Sequence, residues 1–270
     1  MVHEPLRQPD ELKRYYRNED VVQTYLKRRT AQPLNGLLHR RQIALLNEIV
    51  EEYRPRRVLE LACGPARLTA EVRGVPFGVA VDASMPMLHV ARGRTGAAPW
   101  EFLRTDAFRL PFKDHVFDLV FSTRFVRHFE LRDRSRLYAE IRRVLAPAGL
   151  FVVDALNFET SYPARVERGL ERYQIYDVLY RPGEAEEELT AAGFRIVRCA
   201  GLLRWFPLQR RINRLRFRAP RLARWLIGGL ERLPGRWPQT WMLVCEKSEQ
   251  VAGDHGIHDP PKRTLRASGG

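Results

Sequence analysis

Cysteine is scarce: the chain holds three, Cys63, Cys199 and Cys245, an odd number scattered over 270 residues. That excludes a disulfide framework and a cysteine-based zinc site, and suits a reducing compartment. No apolar run approaches the roughly 18 residues needed to cross a bilayer. The opening Met1-Val2-His3-Glu4-Pro5 lacks the basic-then-apolar order of a signal peptide. The expectation is a soluble, cytoplasmic protein. Lysine is nearly missing as well: Lys13, Lys27, Lys113, Lys247 and Lys262 are five of 46 basic residues, leaving 41 arginines. An arginine excess of this kind can reflect a GC-rich genome, so placement matters more than the net charge of +14. Between Leu203 and Arg236 ten arginines face one acid, Glu231.

What is present is ordinary for a globular chain: 44% hydrophobic and 10% aromatic residues, with length enough for one large domain. Residues 10 to 53 read as helical, with Asp10 placed to cap the start. Leu37, Leu38, Ile43, Leu45, Leu46 and Ile49 form an apolar stripe before Pro55. Short strands and helices then alternate. Strands are expected at 57–61, 78–82, 100–104, 116–122, 149–155, 194–199 and 240–246, and helices at 84–92, 134–145 and 182–192. Continuous apolar strands separated by helices indicate a parallel sheet covered on both faces.

The chemistry-bearing segments lie at strand ends. Val58-Leu59-Glu60-Leu61-Ala62-Cys63-Gly64-Pro65-Ala66 gives a carboxylate, a turn of small residues and an expected helix, a pattern that lets backbone N–H groups approach a ligand. Val79-Ala80-Val81-Asp82 ends a strand in a carboxylate placed for two ribose hydroxyls. The alternative for Asp82 is a helix cap, and for Asp106 an ordinary turn. Further blocks are Arg104-Thr105-Asp106-Ala107 with Leu110-Pro111-Phe112, then Phe117-Asp118-Leu119-Val120, then Arg143-Val144-Leu145-Ala146-Pro147-Ala148-Gly149.

These five blocks, in this order and spacing, resemble class I S-adenosylmethionine-dependent methyltransferases over residues 55 to 200. The resemblance implies an α/β fold: a Rossmann-like, doubly wound, mostly parallel seven-stranded sheet with an antiparallel last strand. A helical N-terminal cap (1–54) would precede the methyltransferase domain (55–247). That domain would carry a basic helical insertion at about 203–236, and a disordered tail (248–270) would follow. The cofactor implied is S-adenosyl-L-methionine. Glu60 and the turn Ala62, Cys63, Gly64 would hold its methionine part, Asp82 the ribose, and Ala83 and Met85 would sit beside the adenine. Asp106 would accept from the adenine amino group, Ala107 would offer a backbone N–H, and Ser122 and Thr123 would floor the site. Ala62 and Ala66 stand where the family pattern usually has glycine.

His128 is the histidine near the expected cofactor mouth and the candidate general base for a hydroxyl acceptor; packing or capping is its other reading. Tyr15, Tyr16, Tyr25, Arg29, Asn157, Tyr176 and Tyr180 are candidates for the acceptor pocket, or simply pack the lid. In the basic segment, Leu208, Ile212 and Leu215 share one helical face, and Leu222, Trp225, Leu226 and Leu230 another. Packing on the domain's own sheet, contact with an anionic membrane surface and nucleic-acid binding are three readings of that segment. Docking would place the protein peripherally at the inner face of the membrane. The function expected is methyl transfer to a small-molecule acceptor of hydrophobic or lipid-like kind. The alternatives are an RNA methyltransferase, or a non-catalytic protein retaining the fold. No metal is expected.

Overall fold

The computed structural model of the protein describes residues 5–30, 32–96 and 99–248. Three helices come first: α1 (Pro9–Arg17), α2 (Glu19–Thr30) and α3 (Pro33–Tyr53). The single helical stretch expected over 10–53 is broken at Asn18, whose side chain accepts from the Asp20 and Val21 N–H groups, and again before Pro33, which opens α3. Asp10 is not the cap: Gln8 holds that position, its N–H donating to Glu11.

The remaining elements are β1 (Arg57–Leu61), β2 (Phe77–Asp82), α4 (Met85–Thr95), β3 (Trp100–Arg104), β4 (Phe117–Ser122), α5 (Leu131–Val144), β5 (Leu145–Asn157), α6 (Phe158–Arg168), β6 (Leu179–Tyr180), α7 (Glu184–Ala191), β7 (Phe194–Leu202), α8 (Phe206–Ile212), α9 (Pro220–Leu230) and β8 (Thr240–Lys247). The strands form one sheet in the order β3-β2-β1-β4-β5-β8-β7, parallel except for β8, which runs antiparallel to both neighbours. An eighth strand, the two-residue β6 beside the end of β5, adds to the seven expected.

Strand alternation sends Leu59, Leu61, Val79 and Val81 to a core closed by α5 and α7, and Val58 and Ala80 to a second core closed by α3 and α4. Strand order reverses direction at β1, between β2 and β4, so a crevice opens at the carboxyl ends of these strands.

One expected element is missing. After β1 the chain forms turns rather than a regular helix. Ala62, Gly64 and Ala66 all have left-handed φ, of 54°, 55° and 55°, and Pro65 contributes no N–H. A backbone that reverses hand three times in five residues cannot start an α-helix. The turn therefore presents individual N–H groups, without a helix dipole behind them. The expected tail lies, beyond Ser248, outside the described residues.

Candidate active site

A pocket occupies the crevice, open to solvent at its mouth. Ala62 and Gly64 from the turn after β1, Asp82 and Ala83 from the end of β2, Asp106 and Ala107 after β3, and Thr123 and His128 after β4 converge on its wall. Tyr16 and Tyr25 reach it from α1 and α2.

Asp82 ties two turns together. Its Oδ2 accepts from Gly64 N–H at 2.9 Å and its Oδ1 from Ser84 N–H at 2.8 Å. Burial pushes its carboxyl up, against those backbone N–H groups, which favour the ionised form. Each oxygen keeps a lone pair for a hydroxyl. A Cβ built on Gly64 would meet nothing within 4 Å, so the backbone there faces open space. That cradle, beside a carboxylate, fits the nucleoside and methionine parts of S-adenosylmethionine.

Asp106 is engaged from the mouth. Its Oδ1 accepts from Phe108 N–H at 3.1 Å, and Lys13 Nζ donates to its Oδ2 at 2.7 Å. Burial works to lower the Lys13 ammonium's pKa, but Asp106 and Asp10 together outweigh it and raise it.

His128 Nδ1 lies 2.9 Å from the Tyr176 carbonyl and 2.8 Å from Asp177 Oδ1. The Tyr176 carbonyl can only accept, so it places the proton on Nδ1, with Asp177 close by as an ion-pair contact, and leaves Nε2 as the acceptor. Behind the ring runs a buried ionic cluster. Arg127 reaches Asp154 at 2.7 Å and Asp177 at 2.9 Å, and Arg165 reaches Asp177. Burial works to raise the Asp177 carboxyl, but Arg127, His128 and Arg165 outweigh it and hold it well below the usual carboxylate range.

Several sequence candidates stand off the wall. Glu60 is buried beneath the turn and accepts from Thr69 Oγ1; burial pushes its pKa up to about 8, so it supports the turn from below. Cys63 is buried, and desolvation raises its thiol well above its ordinary value. Ser122 Oγ donates to the Leu61 carbonyl, joining β4 to β1. Met87, two residues on and about half a helical turn round α4, lines the pocket in place of Met85. Tyr15 is bonded to Gln174, Asn157 to Pro238, and Tyr180 to Glu188, all away from the pocket. Tyr176 contributes its carbonyl to His128 rather than a ring to the wall. The Arg29 side chain lies outside what is described.

Missed by sequence were Lys13 and the aromatic wall of Phe108, Phe125 and Phe129, packed edge to face at 5.0–5.3 Å. So was Arg67, whose guanidinium joins Thr123 to Gln42 on α3. The apolar residues following Asp106 and Arg124 were a visible signal for the wall; Arg67 had none. Among the described residues no cluster of ligands for a metal occurs.

The sequence pattern of the methyltransferase domain family matches residues 59–153. Demethylmenaquinone methyltransferase of Thermus thermophilus is 37% identical over 111 residues, covering 39% of this chain and 50% of the relative. Malonyl-[acyl-carrier protein] O-methyltransferase of Legionella pneumophila is 31% identical over 110 residues, 39% of this chain and 38% of the relative. The chain thus spans half or less of the length of these relatives. The crystal structure of magnesium protoporphyrin IX methyltransferase from Synechocystis PCC 6803, with SAH bound, superposes with a TM-score of 0.62 at 12% identity. It covers 89% of this chain and all of the other, a likeness of fold. Residues 59–153 thus match the methyltransferase domain family, and the sheet order and the crevice agree with a class I S-adenosylmethionine-dependent methyltransferase fold.

Proposed function

We propose that the protein transfers a methyl group from S-adenosylmethionine to a small, hydrophobic or lipid-like acceptor. The observation that carries this reading is the convergence of Asp82, the Gly64 cradle and His128 on one apolar-walled pocket. The cofactor supplies an electrophilic methyl on a sulfonium; the protein's own residues bind, orient and move a proton. Asp82 takes the ribose hydroxyls, the turn Ala62–Gly64 the methionine end, and Met87 and Ala107 flank the base. Alignment of nucleophile, methyl and sulfur is the main catalytic contribution, worth about 7–11 kcal/mol in the best intramolecular cases.

For a hydroxyl acceptor, His128 Nε2 would take the hydroxyl proton, while bound S-adenosylmethionine would supply the methyl and leave as S-adenosylhomocysteine. Nδ1–H stays on the Tyr176 carbonyl, with the Asp177 carboxylate beside it. Phe108, Phe125, Phe129, Tyr16 and Tyr25 suit a flat apolar acceptor, so menaquinone-type and acyl substrates of the kinds named for the two relatives lead the panel. Peripheral contact of residues 203–236 with a membrane is the route such an acceptor would need.

Calorimetry with S-adenosylmethionine and S-adenosylhomocysteine tests the cofactor site. Micromolar binding that Asp82→Ala loses is expected; no binding by the intact protein would leave a fold without the activity. With a working acceptor, His128→Ala should lower kcat about 100-fold or more if a hydroxyl is methylated, and leave cofactor affinity unchanged.

A further inference from the structure

The insertion between β7 and β8 does not bury the stripe its sequence suggests. Its inner face carries Phe206 and Ile227, packed with Leu34, Leu37 and Leu203, and the buried Ala223. Leu222 and Trp225 point outward instead, 49% and 73% exposed, and Phe217 beside them is 78% exposed. The segment's single acid is turned inward. Glu231 is 1% exposed and accepts from the N–H groups of Leu203 and Arg204 and from Gln209 Nε2, at 3.0–3.1 Å. The outer surface is accordingly cationic and apolar, with no acid of its own.

Two of the ten arginines, Arg210 and Arg214, pair with Glu167. Among the described residues, Arg218, Arg221 and Arg224 form no ion pair, and they flank the exposed Leu222 and Trp225. Arg216 lays its guanidinium 4.0 Å over the Phe217 ring. Three unpaired cations around three unburied apolar side chains cost solubility in water and are complementary to one environment, an anionic lipid surface. There, arginines meet headgroups while leucine, phenylalanine and tryptophan enter the acyl boundary. Nucleic acid satisfies the cations, but the aliphatic Leu222, with Leu215 and Leu208 also exposed, gains nothing from bases, which reward π faces.

Position agrees. β7 runs parallel to β5, since both oppose β8, so the insertion leaves β7 at Leu202 and returns at Thr240 on the pocket end of the sheet. We propose that the outer face of α9 and the turn before it, centred on Phe217, Leu222 and Trp225 and ringed by Arg218, Arg221 and Arg224, seats the protein in the surface of an anionic bilayer with the pocket end facing the lipid. This contact stands apart from methyl transfer and does not depend on it.

The test is flotation of the full chain with phosphatidylglycerol-containing vesicles against phosphatidylcholine alone, at low and high salt. The wild type should float with anionic vesicles only, and less at high salt. Arg218→Gln, Arg221→Gln and Arg224→Gln together should weaken partitioning roughly 100-fold. Phe217→Ser with Trp225→Ser should weaken it about tenfold or more. All these side chains are exposed, so thermal melting should be unchanged in both variants; S-adenosylhomocysteine binding, read separately, reports on the methyltransferase reading alone. No flotation at low salt, or flotation indifferent to Phe217 and Trp225, overturns the proposal. Steeply salt-dependent binding to RNA without flotation would make the face a nucleic-acid surface instead.

Discussion

Lys13 Nζ lies 2.7 Å from Asp106 Oδ2 and so bridges α1 to the loop after β3 across the mouth of the pocket. The oxygen it holds belongs to the carboxylate expected to receive the adenine amino group. Both side chains are partly exposed, so the pair contributes at most about 1 kcal/mol to stability. Lys13→Ala should leave the melting curve nearly unchanged and tighten S-adenosylhomocysteine binding by up to about fivefold, because Asp106 is released. Weaker binding, measured by calorimetry, would show instead that Lys13 forms part of the cofactor's own surface.

Ala62 sits at φ 54° with a Cβ that disfavours that conformation. Ala62→Gly should stabilise the fold by about 1 kcal/mol in denaturant titration, by relieving the left-handed penalty. Ala66 has the same φ but is 0% exposed. Its glycine variant forfeits a buried methyl worth about 0.8 kcal/mol, so Ala66→Gly should be close to neutral. Equal gains at both sites would contradict this division.

Glu60 gives a pH signature. Burial lifts its pKa from an ordinary 4.5 to about 8, so in that window the native state holds a proton the unfolded chain has released. Native-state stability therefore falls as pH rises between the two values, by up to about 1.4 kcal/mol per unit. Glu60→Gln should remove that slope. Urea titrations at about pH 5.5 and about pH 7.5 compare the two proteins; parallel slopes would show that Glu60 is ionised throughout.

Arg127 stands between Asp154 and Asp177 and is 4% exposed. Arg127→Met would leave Asp177 and the buried Asp154 without the cation they share, with only Arg165 and His128 still beside Asp177. A loss of about 3–5 kcal/mol is expected. Because Asp177 sits against His128, the same variant should also disturb the histidine tautomer, read by NMR of the ring nitrogens. A loss below about 1 kcal/mol would mean that water already reaches this cluster.

Much of the site was legible because its code is local. Asp82 closes an apolar run, and its position at a strand tip follows from the two-residue period of β2. Ala62, Gly64, Ala83, Ala107 and Thr123 follow from their places at strand ends. Met85 lies off the wall by two positions of phase, since α4 turns Met87 rather than Met85 toward the pocket. Tyr180 failed because a tyrosine on a short strand packs wherever a partner waits, here Glu188 on α7. The expected helix after β1 failed because sequence shows small residues but not the hand of their backbone.

The sequence by itself determined the alternation of strands and helices, the strand-end carboxylates and the concentration of arginine between Leu203 and Arg236. Hydrophobic period and turn chemistry act over a few residues, and these features need nothing more. Only the tertiary structure decided that Lys13 meets Asp106, 93 residues away, that Asp177 sits behind His128, and that Glu231 faces inward while Trp225 faces out. Such pairings depend on sheet order and on which helix face finds an apolar partner. Those are properties of the packed whole, set by burial across crossovers that no local spacing records.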